Sequence, residues 1–361
     1  MKNKGWNLYN ISKSRGILMG IATLSVALFH SYYYHFENIT SNEALIDFLY
    51  FLRKTGNIGV DIFLFLSGIG LYFSFSKNSN VKDFWKKRLL RILPAVLIVA
   101  VTYSIYKRVS LNVFFNKVFL IEFFINGERD FWYFSLAIIL YILYPLLHKI
   151  IDKKGINGLI VLIFISIETT LLLVNINFAL YKRIEIALTR IPIFLIGIYM
   201  GKKVKNKEEI PEYTMLIFLA LFIIISLLKL KYPFKLYIVV RYLYCIYGIS
   251  IVFLVSYIHS KINFKNINKF LIFIGTYSME VYLIYENLAI EIRKLGLLNI
   301  NNNFIFYTMM FIITIIMSIG LKKLCNLIVE LFDDETDNDE QKLIEDRTKL
   351  LLEAPKFQRE K

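Results

Sequence analysis

Long apolar runs, separated by short polar and basic stretches, make up most of the chain. A helix that crosses a bilayer needs about 20 apolar residues in a row, whereas a membrane β-barrel would show alternation instead of continuous runs. The pattern predicts ten spans, at about 16–34, 58–76, 91–107, 131–149, 156–175, 187–202, 213–230, 236–259, 269–289 and 303–324. We therefore expect an all-α, polytopic membrane protein.

The basic residues predict the orientation of these spans. If the N-terminus lies inside, Lys and Arg favour the inner loops over the outer loops by roughly two to one, which is the bias of cytoplasmic loops. Both termini are therefore predicted to be cytoplasmic. We expect residues 1–325 to form a membrane-embedded domain and residues 326–361 to form a charged cytoplasmic tail.

The composition supports a membrane location. Of 361 residues, 57% are hydrophobic and the mean hydropathy is +0.55, values that exclude an ordinary soluble domain. The net charge of +15 falls in short clusters between apolar runs, so the expected partner is anionic membrane lipid, with no nucleic acid. Abundant Lys, Asn and Ile are typical of an AT-rich bacterial genome, which favours a multi-pass protein of the bacterial plasma membrane.

The first span has an ionisable residue near each end. Arg15 precedes it, and His30 follows fifteen residues later. At 1.5 Å per residue this separation is about 22 Å, most of a ~30 Å hydrocarbon layer. Ionisable groups at such a depth are functional candidates, although an interfacial His and a snorkelling Arg would explain these two residues alone.

Asp61, Arg190 and Glu280 are charged residues inside predicted spans. Asp61 is near the outer end of the second span, at a depth similar to that of His30. An acid there costs roughly 2.5–3.5 kcal/mol unless it meets a partner, and an Asp that orients an imidazole makes it a general base. Arg190 and Glu280 are expected either to pair with each other or to line a cavity.

A basic stretch, FWKKRLLRILP, begins the third span. It carries Lys86, Arg88 and Arg91. Arg88 and Arg91 are three residues apart and share a helix face, a geometry suited to holding phosphates. A positive-inside anchor is the alternative interpretation.

Six stretches in this order resemble the acyltransferase-3 family of integral membrane acyltransferases, over about residues 10–325. They are LMGIATLSVALFH ending at His30, GVDIFLFLSG, FWKKRLLRILP, FWYFSLAIILYILYPLL, RIPIFLIGIYMG and GTYSMEVYLIYENLA. The resemblance implies transfer of an acyl group, commonly acetyl, from acetyl-CoA as co-substrate. The acceptor would be a hydroxyl of an extracytoplasmic polysaccharide, another glycan or a lipid-linked sugar.

The resemblance also implies roles for individual residues. His30, oriented by Asp61, would remove a proton from the acceptor hydroxyl or carry the acyl group itself. Thioester acyl transfer needs no metal, and we expect none. The phosphates of cytoplasmic acyl-CoA would be held by Arg15, Lys86, Arg88 and Arg91. The residues expected to bind substrate are Arg190, Glu280, Tyr285 and Glu286.

The chain departs from the family pattern at two positions. The family has an Arg, ten residues and then a His, but Met19 occupies the Arg position here. Arg15 lies one helical turn earlier, near the same face, and is the substitute. Tyr285 stands where the family often has a second His, and Glu286 follows it.

Two other functions agree with the same sequence. A glycolipid or solute transporter, or a flippase, would also place charges inside spans. A catalytically inactive membrane sensor or assembly subunit would explain the replacements at Met19 and Tyr285.

Overall fold

The computed structural model describes residues 5–31, 35–38, 40–231, 237–295 and 303–330. Within these ranges the regular structure is α-helical apart from one 3-10 turn, Phe36–Asn38, and one small β-sheet. The expected all-α class is confirmed. From residue 331 onward, the predicted tail lies outside the described residues.

The helices divide the chain as follows: α1 Tyr9–Lys13, α2 Arg15–Phe29, α3 Glu43–Thr55, α4 Ile58–Lys77, α5 Val81–Lys107, α6 Leu111–Val118, α7 Glu122–Asn126, α8 Trp132–Ile176, α9 Phe178–Leu188, α10 Ile191–Lys205, α11 Thr214–Lys231, α12 Tyr237–Lys261, α13 Lys265–Thr276, α14 Ser278–Lys294 and α15 Asn303–Glu330. The strands β1 (Gly5–Asn7) and β2 (Glu209–Pro211) pair antiparallel, with Trp6 opposite Ile210.

In the described part of the chain, six helices are long and apolar enough to cross a membrane. They are Ile58–Lys77, Val81–Lys107, Trp132–Ile176, Phe178–Lys205, Ile238–Lys261 and Phe304–Glu330. Helices α13 and α14, bent by 73° at their junction, make a seventh span if they are counted together. The chain is thus a multi-pass membrane protein, while the count of ten spans and the cytoplasmic termini stay predictions.

Helix α8 is too long to be one straight span. Its 45 residues would extend about 68 Å, more than twice the ~30 Å hydrocarbon layer. Gly155 interrupts it with φ 57° and ψ −132°, a conformation that residues other than glycine rarely adopt. The interruption falls in the gap between the predicted spans 131–149 and 156–175.

Helix α4 lies at the centre of the bundle, in contact with α2, α10 and α12. Its backbone meets that of α10 where Gly68 and Gly197 face each other. A Cβ atom at Gly68 would collide with the carbonyl oxygen of Phe194, and one at Gly197 with that of Phe65. Small residues permit such close approach, which strengthens packing between helices in a membrane. Helix α4 therefore separates α2 from α10, and functional side chains fall on either side of it.

Substituting Gly155→Ala tests the interruption of α8. No atom lies within 4 Å of the added methyl group, so any loss of stability reports backbone strain at positive φ, about 1–3 kcal/mol. We expect a lower melting temperature in detergent. Gly320→Ala in α15 is the matched control, since its methyl group also meets nothing within 4 Å while its backbone is helical, so its stability should be equal or higher. Equal stability of both variants would contradict the assignment of strain to Gly155.

Candidate active site

His30 directly follows helix α2 and forms its C-cap, and its backbone N–H donates to the carbonyl of Val26 at 3.1 Å. Its ring Nδ1 lies 3.0 Å from Oε1 of Glu286 on α14. The Phe29 ring approaches the imidazole edge-on, with 5.1 Å between centroids. The side chains of His30 and Glu286 are 16% and 38% exposed, so the pair is neither sealed in the core nor fully at the surface.

A narrow cavity begins at this pair and runs between α2 and α14. Its lining comprises Thr23, Val26, Ala27, His30, Phe63, Ser278, Val281, Tyr282, Tyr285 and Glu286. From Thr23 to His30 it follows α2 for seven residues, about 10 Å. Its volume of about 10 Å³ has room for about one water molecule. The walls are mostly apolar and aromatic, and the ionisable groups are gathered at one end.

Two arginines meet on one face of α4. The Nη2 atom of Arg15 is the nearest neighbour that a Cβ at Gly70 would meet, at 3.7 Å. The Nη2 atom of Arg88, on α5, donates to Oγ of Ser74 at 2.5 Å. Gly70 and Ser74 are four residues apart, and residues with this spacing share a helix face. Arg15 and Arg88 therefore reach the same face of α4, about one helical turn apart.

Arg91 lies in a second polar group, together with Glu280 of α14 and Lys322 of α15. Both cations act electrostatically on the Glu280 carboxylate, and Arg91 also acts on Tyr133 of α8. The Nζ atom of Lys322 donates to the carbonyl of Thr276 at 2.8 Å. Lys322 is not among the site residues predicted from the sequence. Lys86 is exposed on the same helix as Arg91.

Asp61 lies next to Arg190 and away from the His30 pair. Its Oδ1 atom is 3.4 Å from Nε of Arg190, and the side chains are 1% and 3% exposed. The Sγ atom of Cys245 donates to the same oxygen at 3.9 Å. Arg190 also lies over the Trp132 ring, 5.2 Å from its centroid.

The expectation that Asp61 orients His30 is therefore wrong, and Glu286 is the carboxylate in contact with the imidazole. Helix geometry gives the reason. Gly59 faces α2, because a Cβ there would collide with the carbonyl of Ala22. Asp61 lies two residues farther on, about 200° around the helix, and so points away from α2. Because Asp61 points away from α2, it is in contact with Arg190, which therefore pairs with Asp61 and not with Glu280.

Further charges surround Asp61 on this side of α4. Glu185 of α9 accepts from Arg129 and from Arg241, each at 3.3 Å. Lys229 of α11 lies over the Tyr244 ring, 4.0 Å from its centroid. Glu185 and Arg241 are 12% and 16% exposed, so their ion pair offsets part of the cost of burying these two charges.

Among the described residues, no group of three or more His, Cys, Asp or Glu side chains could hold a metal ion. The family model Acyl_transf_3, described as an acyltransferase domain, matches residues 17–323 of the chain. Comparison with the curated proteins and with the solved structures found no match.

Replacing Asp61 separates a structural role from a catalytic one. Asp61→Asn leaves the Arg190 guanidinium buried without a counter-charge, which should cost about 3–5 kcal/mol of stability. We expect a lower melting temperature and a lower yield from membranes. The double variant Asp61→Asn/Arg190→Gln removes both charges and should recover part of the loss. If Asp61→Asn kept full stability and lost only turnover, Asp61 would act on the reaction directly.

Proposed function

The chain belongs to the Acyl_transf_3 family of acyltransferase domains, and on that basis we propose that it is a membrane O-acyltransferase of the bacterial plasma membrane. It takes an acyl group, most simply acetyl, from cytoplasmic acyl-CoA. It transfers the group to a hydroxyl of an extracytoplasmic polysaccharide or lipid-linked sugar.

The observation that carries this proposal is the contact between His30 and Glu286 at the end of the narrow cavity. A carboxylate at Nδ1 fixes the tautomer of a neutral imidazole, with the proton on Nδ1 and the lone pair on Nε2. The same carboxylate stabilises the imidazolium that forms when Nε2 accepts a proton. His30 with Glu286 is therefore suited to general-base catalysis, and Glu286 takes the role first expected of Asp61.

The proposed reaction transfers the acyl group in one displacement. Nε2 of His30 removes the hydroxyl proton as the acceptor oxygen attacks the thioester carbonyl carbon. The tetrahedral intermediate collapses, the carbon–sulfur bond breaks, and the imidazolium returns the proton to the thiolate. The products are an ester and free CoA. In the alternative, two-step mechanism, Nε2 of His30 first takes the acyl group from the thioester, releasing CoA, and then passes it to the acceptor hydroxyl.

The donor approaches from the side of the bundle where the arginines lie. Arg15 and Arg88, which reach the same face of α4, and Arg91 bind the phosphates of acyl-CoA, with Lys86 nearby on α5. Guanidinium groups suit this role because they bind phosphate oxygens in pairs. The acyl-bearing arm then runs along α2 and α14 towards His30, and side chains must move because the cavity is narrow.

The acceptor meets the acyl group at the other end. Tyr285 and Glu286 line the cavity beside His30 and are the residues that we propose contact the acceptor. Glu280 lies six residues before Glu286, among Arg91 and Lys322, and suits the donor end. Arg190, through Asp61, holds α4 against α10.

Ten spans with both termini in the cytoplasm remain our proposal for the topology. The interruption at Gly155 would divide α8 into two spans. The shorter apolar helices, Arg15–Phe29 and Thr214–Lys229, would add two to the six long helices and the bent pair. Residues 1–325 would then form the membrane-embedded domain, and 326–361 the charged tail.

Two variants test the catalytic pair. His30→Ala should abolish acyl-CoA-dependent acylation. Glu286→Gln should lower kcat about 10²-fold, since a general base typically contributes 10²–10⁴ and its partner part of that. Glu291→Gln is the control on the same helix, where Glu291 pairs with Lys107 at 2.6 Å. The measurement is CoA release by the purified protein in vesicles, together with mass spectrometry of cell-surface glycans.

Unchanged acylation in His30→Ala, with the protein folded, would refute the mechanism. Wild-type protein that neither consumes acyl-CoA nor acylates glycan would favour the transporter or flippase interpretation, for which the buried pair Asp61–Arg190 is the supporting feature.

Two further variants test the residues proposed to bind acyl-CoA. Arg88→Gln and Arg91→Gln should each raise KM for acyl-CoA about tenfold with a smaller change in kcat, because each removes a charged contact to phosphate. Lys87→Gln, an exposed neighbour on the same helix, should leave KM unchanged. A fall in kcat at constant KM in the arginine variants would exclude a role in donor binding.

A further inference from the structure

A second cavity, with a volume of about 510 Å³, lies between the C-terminal part of α4, the start of α5 and the part of α8 before Gly155. Phe75, Val81, Pro145 and Leu146 form its apolar lining, and His148, Lys149, Asp152 and Lys153 its polar lining. This volume falls within the range typical of small-molecule sites, which combine apolar walls with a few polar groups.

The rings of Phe75 and His148 form one wall of this cavity, and further aromatic rings pack behind them. The centroid of the His148 ring lies 5.0 Å from that of Phe75, 5.0 Å from that of Tyr72 and 5.7 Å from that of Tyr144. Tyr144 in turn stacks on Phe84, with 5.1 Å between centroids. Nε2 of His148 is buried and has no hydrogen-bond partner among the described residues. The Phe75 and His148 rings that line the cavity offer an aromatic surface to a ligand ring.

The rim of the cavity is cationic. Lys149 and Lys153 are four residues apart, so both lie on the same face of α8, and both are exposed. The Asp152 carboxylate is already compensated, because it accepts from Nζ of Lys202 at 2.9 Å and from the hydroxyl of Tyr72 at 3.0 Å. Two exposed ammonium groups beside aromatic rings favour an anion attached to a planar ring.

The phosphate-binding residues proposed above adjoin this aromatic cluster. The guanidinium carbon of Arg88 lies 5.8 Å from the centroid of the Phe84 ring. Its Nη2 atom donates to Ser74, the residue before Phe75. Arg88 therefore lies beside the cavity, and Arg91 lies one turn farther along α5.

One face of α8 links the second cavity to the first. Tyr133 and Tyr144 are eleven residues apart, which places them within about 20° of each other around the helix and about 16 Å apart along it. Tyr144 belongs to the aromatic wall, whereas the Tyr133 ring packs on Phe63 and Tyr282, which line the cavity at His30.

We propose that the second cavity binds the adenosine 3′,5′-bisphosphate end of acyl-CoA. The purine stacks on the aromatic wall at Phe75 and His148, the phosphates meet Lys149 and Lys153 at the rim, and the pyrophosphate continues to Arg88. We place the pantetheine arm along the face of α8 from Tyr144 to Tyr133, from which it enters the narrow cavity and delivers the thioester to His30. This inference rests on the proposed function, since it assumes acyl-CoA as the donor.

Binding of free adenosine 3′,5′-bisphosphate tests the inference without any acyl transfer. The full chain is purified in nanodiscs of phosphatidylcholine, and the dissociation constant of the labelled bisphosphate is measured. The variant Lys149→Gln/Lys153→Gln should raise it about tenfold or more, because two charged contacts are lost. His148→Leu should also weaken binding. Lys154→Gln, exposed in the same stretch but outside the lining, is the matched control and should change nothing.

The outcomes separate this inference from the proposed function. Wild-type protein that acylates from acetyl-CoA, but binds the bisphosphate equally well with and without the two lysines, would overturn the site and leave the function standing. Wild-type protein with neither acylation nor binding of acyl-CoA would overturn both. If the double variant instead lost only tightly bound phosphatidylglycerol, measured by native mass spectrometry, the cavity would be a lipid headgroup site and the inference would be wrong.

Discussion

Placing an ionisable side chain inside the hydrocarbon layer costs free energy unless a charged partner, a hydrogen-bonding partner or water compensates it. This constraint decides which side chains of the chain come together. His30 meets Glu286 on the α2 side of α4, and Asp61 meets Arg190 on the α10 side. The two contacts differ in exposure, since the first is partly open and the second is sealed. The buried ion pair Asp61–Arg190 joins neighbouring helices. The partly exposed pair His30–Glu286 lies beside a cavity and can exchange protons with a substrate.

The central position of α4 follows from its small residues. Gly59 lets α2 approach on one side, and Gly68 lets α10 approach on the other. The same helix therefore contributes Phe63 to the cavity at His30 and Phe75 to the second cavity. The transfer that we propose, from a cytoplasmic nucleotide to an extracytoplasmic hydroxyl, would need such a connection through the bundle, and α8 extends beside α4 along the same path.

Much of the fold could be predicted from apolar runs, because their length and continuity report membrane crossing directly. Side-chain partners could not, since depth in the membrane leaves the direction around the helix undetermined. Asp61 and His30 share a predicted depth, yet Asp61 points about 200° away from the face that Gly59 turns to α2. Glu286 is predicted from the sequence to bind substrate, whereas its contact with His30 depends on how α14 packs. The aromatic neighbours of His148 come from α4 and from elsewhere on α8, so the cluster forms only when these helices pack together.

Met19 occupies the position where the family has Arg, and we propose that Arg15 supplies the charge instead. Met19 lies against α13, since a Cβ added at Gly275 would come within 3.0 Å of the Met19 Cβ. Arg15, one turn earlier, instead reaches α4 at Gly70. Ser74, the partner of Arg88, follows one turn later on the same face. If phosphate binding is what the family Arg supplies, we propose that Arg15 supplies it here from a different backbone position, at the face of α4 that Arg88 also contacts.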